Sequence, residues 1–565
     1  MRKILIIGGV AGGATAAARL RRLDEHARII MFERTGYVSY ANCGEPYFVG
    51  GSIKRKAALT LQTPQSFRSR FDIDVRVHSE VTKIDRAGKT VTVKNLETGE
   101  EYAESYDKLI LSPGAAAQRP GLPGEDGERV FTLRTIEDTF AIRDFIDGEH
   151  PRRAVIVGGG FIGLEMAENL MDAGIEVTLL QRSAQVMPPL DADMAAELHA
   201  HLREKGVDLR FHQAIEGYEP MDGGVRVKIR GGEDVCCGMV LLSVGVVPDT
   251  ALAAGAGLEL GQKGAIVVDS HMRTSDPDIY AAGDAVEVRQ LVSGGKALIP
   301  LAGPANRQGR IIADNLCGIE SEYKGTLGAS VVKVFDMTAA CTGLNEKTAK
   351  AAGIRYDKVL NYSASHASYY PGGSSMTVKT LFDPDTGVIL GAQITGFDGV
   401  DKRIDVLSAA IQARMTGEDL AELELSYAPP FSSAKDVVNM AGFSIENLRG
   451  GIVKQHHWHD VAALPRDGSV TLLDVRSAEE FAEGHIPGAV NIPLPELRAR
   501  LGELDRSRPL YVNCYSGMRS YIACRILSGR GFDCSNLSGG WRFYELASGD
   551  AGVREDDHHP CGDKK

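Results

Sequence analysis

The apolar positions cluster into short unbroken runs, each closed by glycine. Ile4-Leu5-Ile6-Ile7 has no polar alternation, which predicts a strand of a parallel sheet covered on both faces. It breaks into Gly8-Gly9-Val10-Ala11-Gly12-Gly13 and continues as an alanine-rich helix through Leu20. Ile29-Ile30-Met31-Phe32 predicts a second strand ending at Glu33. The order recurs downstream. Ala154–Val157 leads into Gly158-Gly159-Gly160-Phe161-Ile162-Gly163, a helix from Leu164 to about Ala173 follows, and Glu176–Leu180 is a second strand. A third region of this kind begins past residue 469: Val470–Arg476 predicts a strand with a charged end, and Leu510–Asn513 another.

A strand, a glycine turn and a helix N-terminus place backbone N–H groups and a helix dipole against a pyrophosphate, so two such units predict two dinucleotide sites. Glu33, about 20 residues past the first glycines, is the expected acceptor for a ribose hydroxyl. Val10 departs from the fingerprint, standing where its middle glycine belongs, whereas Gly158 to Gly163 match G-x-G-x-x-G in full. The second unit ends in Gln181-Arg182-Ser183 with no carboxylate, so Arg182 is a candidate contact for a 2′-phosphate. The cofactors expected are FAD and NADPH or NADH.

Composition narrows the class. At 565 residues with 43% hydrophobic and 24% charged residues, the chain has room for three or four ordinary globular domains. A net charge of −12 argues against nucleic acid as a partner. Nine scattered cysteines are no secreted disulfide framework, and no apolar stretch is long enough for a bilayer, so the expected setting is cytoplasmic, away from membranes.

Two cysteines carry the candidate chemistry. Cys43 lies in Ser39-Tyr40-Ala41-Asn42-Cys43-Gly44 with no second cysteine nearby, which excludes a local redox disulfide. A single thiolate there can form a mixed disulfide, a persulfide or a sulfenic acid. Cys514 opens Cys514-Tyr515-Ser516-Gly517-Met518-Arg519-Ser520, a loop suited to an anionic sulfur.

Tyr280-Ala281-Ala282-Gly283-Asp284 resembles the second FAD motif of the two-dinucleotide-domain flavoprotein disulfide reductases. Leu111-Ser112-Pro113-Gly114 and Ser243–Pro248 resemble that family's crossings between its FAD and NAD(P) domains. The segment around Cys43 is similar to the single-cysteine site of coenzyme A-disulfide reductases, and residues 1 to about 448 resemble that family throughout. The resemblance implies cofactor contacts at Gly8, Gly12, Gly13, Glu33, Arg34, Asn42, Val81, Ser112, Gly114, Arg134, Gly158, Gly160, Phe161, Ile162, Gly163, Arg182, Gly245, Gly283, Asp284 and Ala302. It implies coenzyme A contacts at Thr15, Arg19, Arg22, Ser39, Asn42 and Lys435, with Asn306 standing where some relatives have histidine. Arg19, Arg21 and Arg22 share one helical turn, a cation cluster that suits phosphates. It further implies a homodimer in which Tyr427 and Tyr369, with Tyr370 as the other candidate, reach the partner's cysteine and assist protonation.

The third region resembles a single rhodanese domain across roughly 455 to 548, through Asp474-Val475-Arg476, Glu483 to Pro493 and the Cys514 loop. Four residues separate Cys514 from Arg519, the shorter loop that favours sulfane sulfur over phosphate. Cys524 and Cys534 read as buried structural residues, and His456-His457-Trp458-His459 as part of an exposed, irregular linker that binds no metal.

The expected fold class is α/β, with two Rossmann-like FAD and NAD(P) domains, an α+β dimerisation domain and a C-terminal rhodanese α/β domain. The expected boundaries are FAD-binding 1–112 and 246–325, NAD(P)-binding 113–245, dimerisation 326–448, linker 449–464, rhodanese 465–548 and a disordered tail 549–565. The expected activity is FAD-dependent NAD(P)H reduction of coenzyme A disulfide, coenzyme A persulfide or polysulfide through Cys43, with Cys514 and Arg519 handling sulfane sulfur. The alternatives are an NADH oxidase or peroxidase using a Cys43 sulfenic acid, and a sulfur-relay carrier.

Overall fold

The computed structural model describes residues 2–550. They form two compact units, one of residues 1–180 with 213–328, the other of 181–212 with the chain from 329 onward.

In the first unit, Lys3–Ile7 lies at the centre of a five-stranded parallel sheet in the order Ile279–Ala281, Lys108–Leu111, Lys3–Ile7, Arg28–Phe32, Asp74–Arg76. Ile4, Leu5 and Ile6 are wholly buried, as an unbroken apolar run requires, each contributing roughly 1.5–3 kcal/mol. The helix Ala11–Leu23 is rich in small residues because the helix Ala302–Leu316 lies directly on it. A Cβ on Gly309 would come within 2.4 Å of the Gly12 carbonyl oxygen. The second dinucleotide fold repeats the plan, with Arg153–Val157 between the parallel strands Glu176–Leu180 and Met239–Leu242 and with Val130–Thr132 beyond.

The glycine turns repeat at atomic detail. Gly8 and Gly158 both adopt positive φ (94° and 104°). Cβ atoms on Gly13 and Gly163 would lie 1.9 and 2.0 Å from the carbonyl oxygens of Gly8 and Gly158 respectively, so neither position admits a side chain. Val10, with φ −104°, lies outside the positive-φ region that favours glycine.

The second unit carries two sheets. One is antiparallel, in the order Ser330–Val334, Met337–Gly343, Ile389–Gly396, Ser375–Phe382, Asp357–Ala364, with helices Val400–Gln412 and Val437–Arg449 packed against it. The other is parallel, in the order Lys454–His456, Cys534–Leu537, Leu510–Asn513, Thr471–Asp474, Val490–Asn491.

That edge strand corrects one expectation. Residues 449–464 were expected as an irregular linker, yet Lys454–His456 is a strand of the rhodanese-type sheet and Trp458–Ala463 a 3-10 helix. His456, His457 and Trp458 are buried. Their mixed polarity hid the pattern because His456 and Trp458 each bury a ring and meet a polar partner at its edge. His456 Nδ1 meets Ser535 Oγ at 3.1 Å, and Trp458 Nε1 donates to Asp193 at 3.2 Å. Gly549 and Asp550, expected in a disordered tail, are also ordered. Gly549 closes the helix from Gly540, and Asp550 is buried against His199, whose Nε2 accepts the Val186 N–H at 3.1 Å. His558, His559 and Cys561 lie outside the described residues.

A buried ion cluster joins three parts of this unit. Lys379 is fully buried and binds Asp191 at 2.9 Å, Asp193 at 2.7 Å, and Glu346. Lys358 adds a second contact to Glu346 at 2.7 Å. The three carboxylates converge as a cation site would, but the Lys379 ammonium already bonds to all of them.

Candidate active site and sulfur loop

The first unit holds a cavity of about 520 Å³ whose walls include Gly8, Gly12, Glu33, Cys43, Ser112 and Asp284. Its floor is the first glycine turn. Glu33 accepts the Gly9 N–H at 2.9 Å and the Thr35 N–H at 3.0 Å, so its carboxylate stands at the turn where a ribose would lie. Asn42, Arg34, Val81, Gly114, Arg134 and Ala302 also reach this cavity. Arg134 donates to Asp284 at 2.8 Å and to the Ala115 carbonyl at 2.7 Å, tying the Gly-Asp turn to the crossing after Ser112. Arg34 is paired with Asp249 at 2.7 Å. A long cleft with a glycine-turn floor, a carboxylate at its second strand and a further Asp along its wall fits a flavin dinucleotide in shape and donor set.

Cys43 sits on the lip of this cavity, in the 3-10 turn Asn42–Gly44. It is solvent-accessible, yet crowding by the cavity walls, and then the carboxylates of Glu165, Glu45 and Asp284, push its thiol above the ordinary range. None of the strongest influences on it is a lysine or arginine. Ser39, expected on the coenzyme A path, adopts φ +47° and donates its N–H to the Gly9 carbonyl at 2.8 Å, which holds the Cys43 segment onto the glycine turn.

The nicotinamide-side residues Gly158, Gly160, Phe161, Ile162 and Gly163 gather at the turn opening the helix Phe161–Asp172. Gly245 adopts φ +119° on the return crossing. Arg182 is exposed and makes no ion pair among the described residues.

The basic cluster on the first helix divides. Arg22 is exposed, and Arg19 is paired with Asp314 at 2.8 Å. Arg21 is buried and donates to the carbonyls of Phe71, Asp24, Glu25 and Asp72, so it caps the C-terminal ends of two helices instead of facing a phosphate, which corrects its expected role. Thr15 donates to Asn306 at 2.5 Å. Lys435, in the second unit, is exposed.

In the second unit the tyrosine segments meet. The hydroxyls of Tyr369 and Tyr427 share a short hydrogen bond, and the two residues are 73% and 43% exposed. Tyr370 instead turns its ring edge-on to His366, with centroids 5.5 Å apart. Sequence reasoning missed what holds these loops. Arg403 and Asp436 form a buried pair at 2.8 Å, and Arg403 also donates to the Ser365 carbonyl at 2.8 Å. Arg403→Leu is expected to cost about 3–5 kcal/mol, because Asp436 is left buried without its cation. The shift of the chemical-denaturation midpoint measures it.

Cys514 is buried, and its Sγ accepts hydrogen bonds from the Gly517 N–H at 3.1 Å and the Ser520 hydroxyl at 3.2 Å, at the N-terminus of the helix Met518–Ser528. Donors aimed at one sulfur stabilise an anionic sulfur there. Arg519 turns both terminal nitrogens to Glu480, at 2.7 Å each. This pairing holds the Glu480 carboxyl down at about 2, from an ordinary value of 4.5. Because the folded value is depressed, the stabilisation is present above pH 4.5 and is lost as pH falls towards 2. An acid titration followed by circular dichroism should show wild type converging on Glu480→Gln across that window. Cys524 and Cys534 are buried in the helix and the next strand, as expected.

Residues 2–309 match the family described as pyridine nucleotide-disulphide oxidoreductase, residues 329–438 its dimerisation domain, and residues 457–546 the rhodanese-like domain. A coenzyme A disulfide reductase of Staphylococcus haemolyticus (strain JCSC1435) is 39% identical over 449 residues, 79% of this chain and 100% of that protein. The structure of reduced Bacillus anthracis CoADR-RHD is similar with a TM-score of 0.94 at 49% identity, covering 96% of this chain and 98% of that one. A NAD-dependent persulfide reductase from A. fulgidus gives 0.89 at 39% identity, covering 96% and 99%.

Proposed function

Because this chain belongs to the pyridine nucleotide-disulphide oxidoreductases, and among them to the coenzyme A disulfide reductases, we propose that it is an FAD-dependent, NAD(P)H-consuming reductase of coenzyme A disulfide or persulfide, with a rhodanese-like domain that carries sulfane sulfur on Cys514. The observation that carries this reading is the place of Cys43, a lone cysteine on the lip of the cavity whose floor is the dinucleotide-binding turn.

Gly8, Gly12, Glu33, Ser112, Gly283 and Asp284 would hold the flavin, which when bound passes on the electron pair drawn from the reduced nicotinamide. Cys43 as thiolate attacks the substrate's sulfur–sulfur bond. A coenzyme A thiolate or hydrosulfide departs, and the substrate's other half remains on Cys43 as a mixed disulfide or persulfide. Tyr369 and Tyr427 stand exposed with their hydroxyls joined, and in the homodimer they supply the proton to the group leaving the partner's Cys43. Cys514 holds sulfane sulfur as a persulfide against the Gly517 and Ser520 donors. All eight cysteines of the described residues are free, which suits a reducing compartment such as the cytoplasm.

The test is anaerobic NAD(P)H oxidation with coenzyme A disulfide and coenzyme A persulfide offered separately to wild type and to Cys514→Ser. Turnover of either by wild type, with thiosulfate-dependent sulfur transfer lost in Cys514→Ser, is the expected result. No turnover of either, with oxygen or peroxide consumed instead, overturns it.

A further inference from the structure

The Cys514 loop is held among arginines that are already paired. Arg519 lies between Gly517 and Ser520, the two residues whose donors hold the Cys514 sulfur, and it gives both terminal nitrogens to Glu480 at 2.7 Å each. Arg476 is closed on Asp474 at 2.8 Å, and Asp474 also accepts from Asn513, the residue before Cys514, at 3.0 Å. Arg542 donates its backbone N–H to the Tyr515 carbonyl at 3.0 Å, while its guanidinium lies over the Tyr362 ring and pairs with Glu197 at 3.9 Å. The Arg476 pair is buried, whereas the Arg519 pair stands partly in solvent, where a ligand can reach it.

Other surfaces at the loop are uncharged. Tyr515 is exposed in the loop itself, and Met518 and Ile522 are exposed on successive turns of one helix face. A cavity of about 150 Å³ borders the turn 516–518, and none of the residues lining it is charged. Two of them, Asn361 and Asn536, have buried amide oxygens without hydrogen-bond partners, acceptors suited to the N–H groups of an amide-bearing ligand.

We propose that Glu480 sets the donor specificity of Cys514: by holding Arg519 it leaves the loop without a free cation for thiosulfate, and so favours organic persulfides. The proposal rests on the reading of Cys514 as a carrier of sulfane sulfur. With a protonated organic persulfide, the Cys514 thiolate attacks the outer sulfur, the donor's sulfur–sulfur bond breaks, and the organic thiolate leaves. Cys–S⁻ and R–S–SH become Cys–S–SH and R–S⁻, with one negative charge before and after and no oxidant or reductant consumed. With thiosulfate the same attack releases sulfite, and three negative charges gather at the loop. Assembling them calls for an uncommitted cation, which Glu480 withholds, so thiosulfate remains a slow donor. Glu480 does not touch the sulfur and acts through Arg519.

The test is the rate at which Cys514 becomes a persulfide on the full-length oxidised protein, without nicotinamide. Rapid quench and mass spectrometry of the peptide holding Cys514 read it. Thiosulfate and N-acetylcysteamine persulfide are offered separately to wild type, to Glu480→Gln, and to Glu480→Gln combined with Arg519→Gln. Glutamine keeps the helix start, because it can accept the Ser477 N–H as Glu480 does. In Glu480→Gln the ratio of the thiosulfate rate to the persulfide rate is expected to rise about tenfold, the scale of one unit charge freed beside a dianion. Adding Arg519→Gln should remove the gain. A change in the reactivity of Cys514 itself would move both donors together and leave the ratio alone. An unchanged ratio in Glu480→Gln, or a gain that survives Arg519→Gln, overturns this proposal only. Failure of wild type to load from either donor sinks the sulfur-carrier reading and the proposal with it.

Discussion

On the proposed role of Cys43, Cys43→Ser is expected to lose reduction of coenzyme A disulfide by roughly 10⁴-fold or more, because the group proposed to form the covalent intermediate is removed. Serine is close in size and keeps the turn Asn42–Gly44, so the flavin complement should be unchanged. What is lost is the sulfur–sulfur bond itself, since an alkoxide cannot be held as a stable mixed intermediate. No neighbouring thiol can substitute, because the other described cysteines of this unit, Cys236, Cys237 and Cys317, lie on other elements and outside the cavity wall. Single-turnover mixing of the reduced variant with coenzyme A disulfide is the measurement. Retention of more than a few per cent of the wild-type rate would place the attacking sulfur elsewhere.

Lys379→Met is expected to cost the second unit much of its stability. Lys379 is the ammonium on which Asp191, Asp193 and Glu346 converge, and removing it leaves three carboxylates in a fully buried site. Burial works against the ammonium, yet those carboxylates hold it well above the usual lysine range. Breaking such an arrangement from one side costs about 3–5 kcal/mol, because the partners' desolvation is left uncompensated. Trp458 bonds to Asp193, and Trp458 and Trp541 are the chain's two tryptophans, so their fluorescence reports this region directly. The denaturant midpoint of that signal should fall, and Asp193→Asn added to Lys379→Met should recover part of the loss. A midpoint that does not move would mean the carboxylates can take up protons or water at little cost.

The elements that mattered most for chemistry could be read directly along the chain. A parallel strand buried on both faces must be continuously apolar. A turn whose Cβ would sit 1.9 Å from a carbonyl oxygen must be glycine. Both demands are local, so Lys3–Ile7, Arg153–Val157 and the two glycine turns were visible, as were Cys43 and Cys514 in their loops. Failures came where one residue serves two partners. Residues 454–463 looked irregular because His456 and Trp458 each bury a ring while donating or accepting at its edge. Arg21 looked like a phosphate ligand, and only the fold brings the Phe71 and Asp72 carbonyls to it.

The sequence by itself therefore determined the two glycine turns and the apolar strands that lead into them, because short-range sterics and hydrophobic period dictate them, while the Cys43 and Cys514 loops were legible through their resemblance to known families. Tertiary structure alone decided which tyrosine meets Tyr427, a choice between neighbours settled 58 residues away. It alone closed Arg403 on Asp436, set Lys379 among its carboxylates and turned Arg519 onto Glu480. Electrostatic pairing and desolvation depend on which distant segments are brought into contact, and no local pattern encodes that.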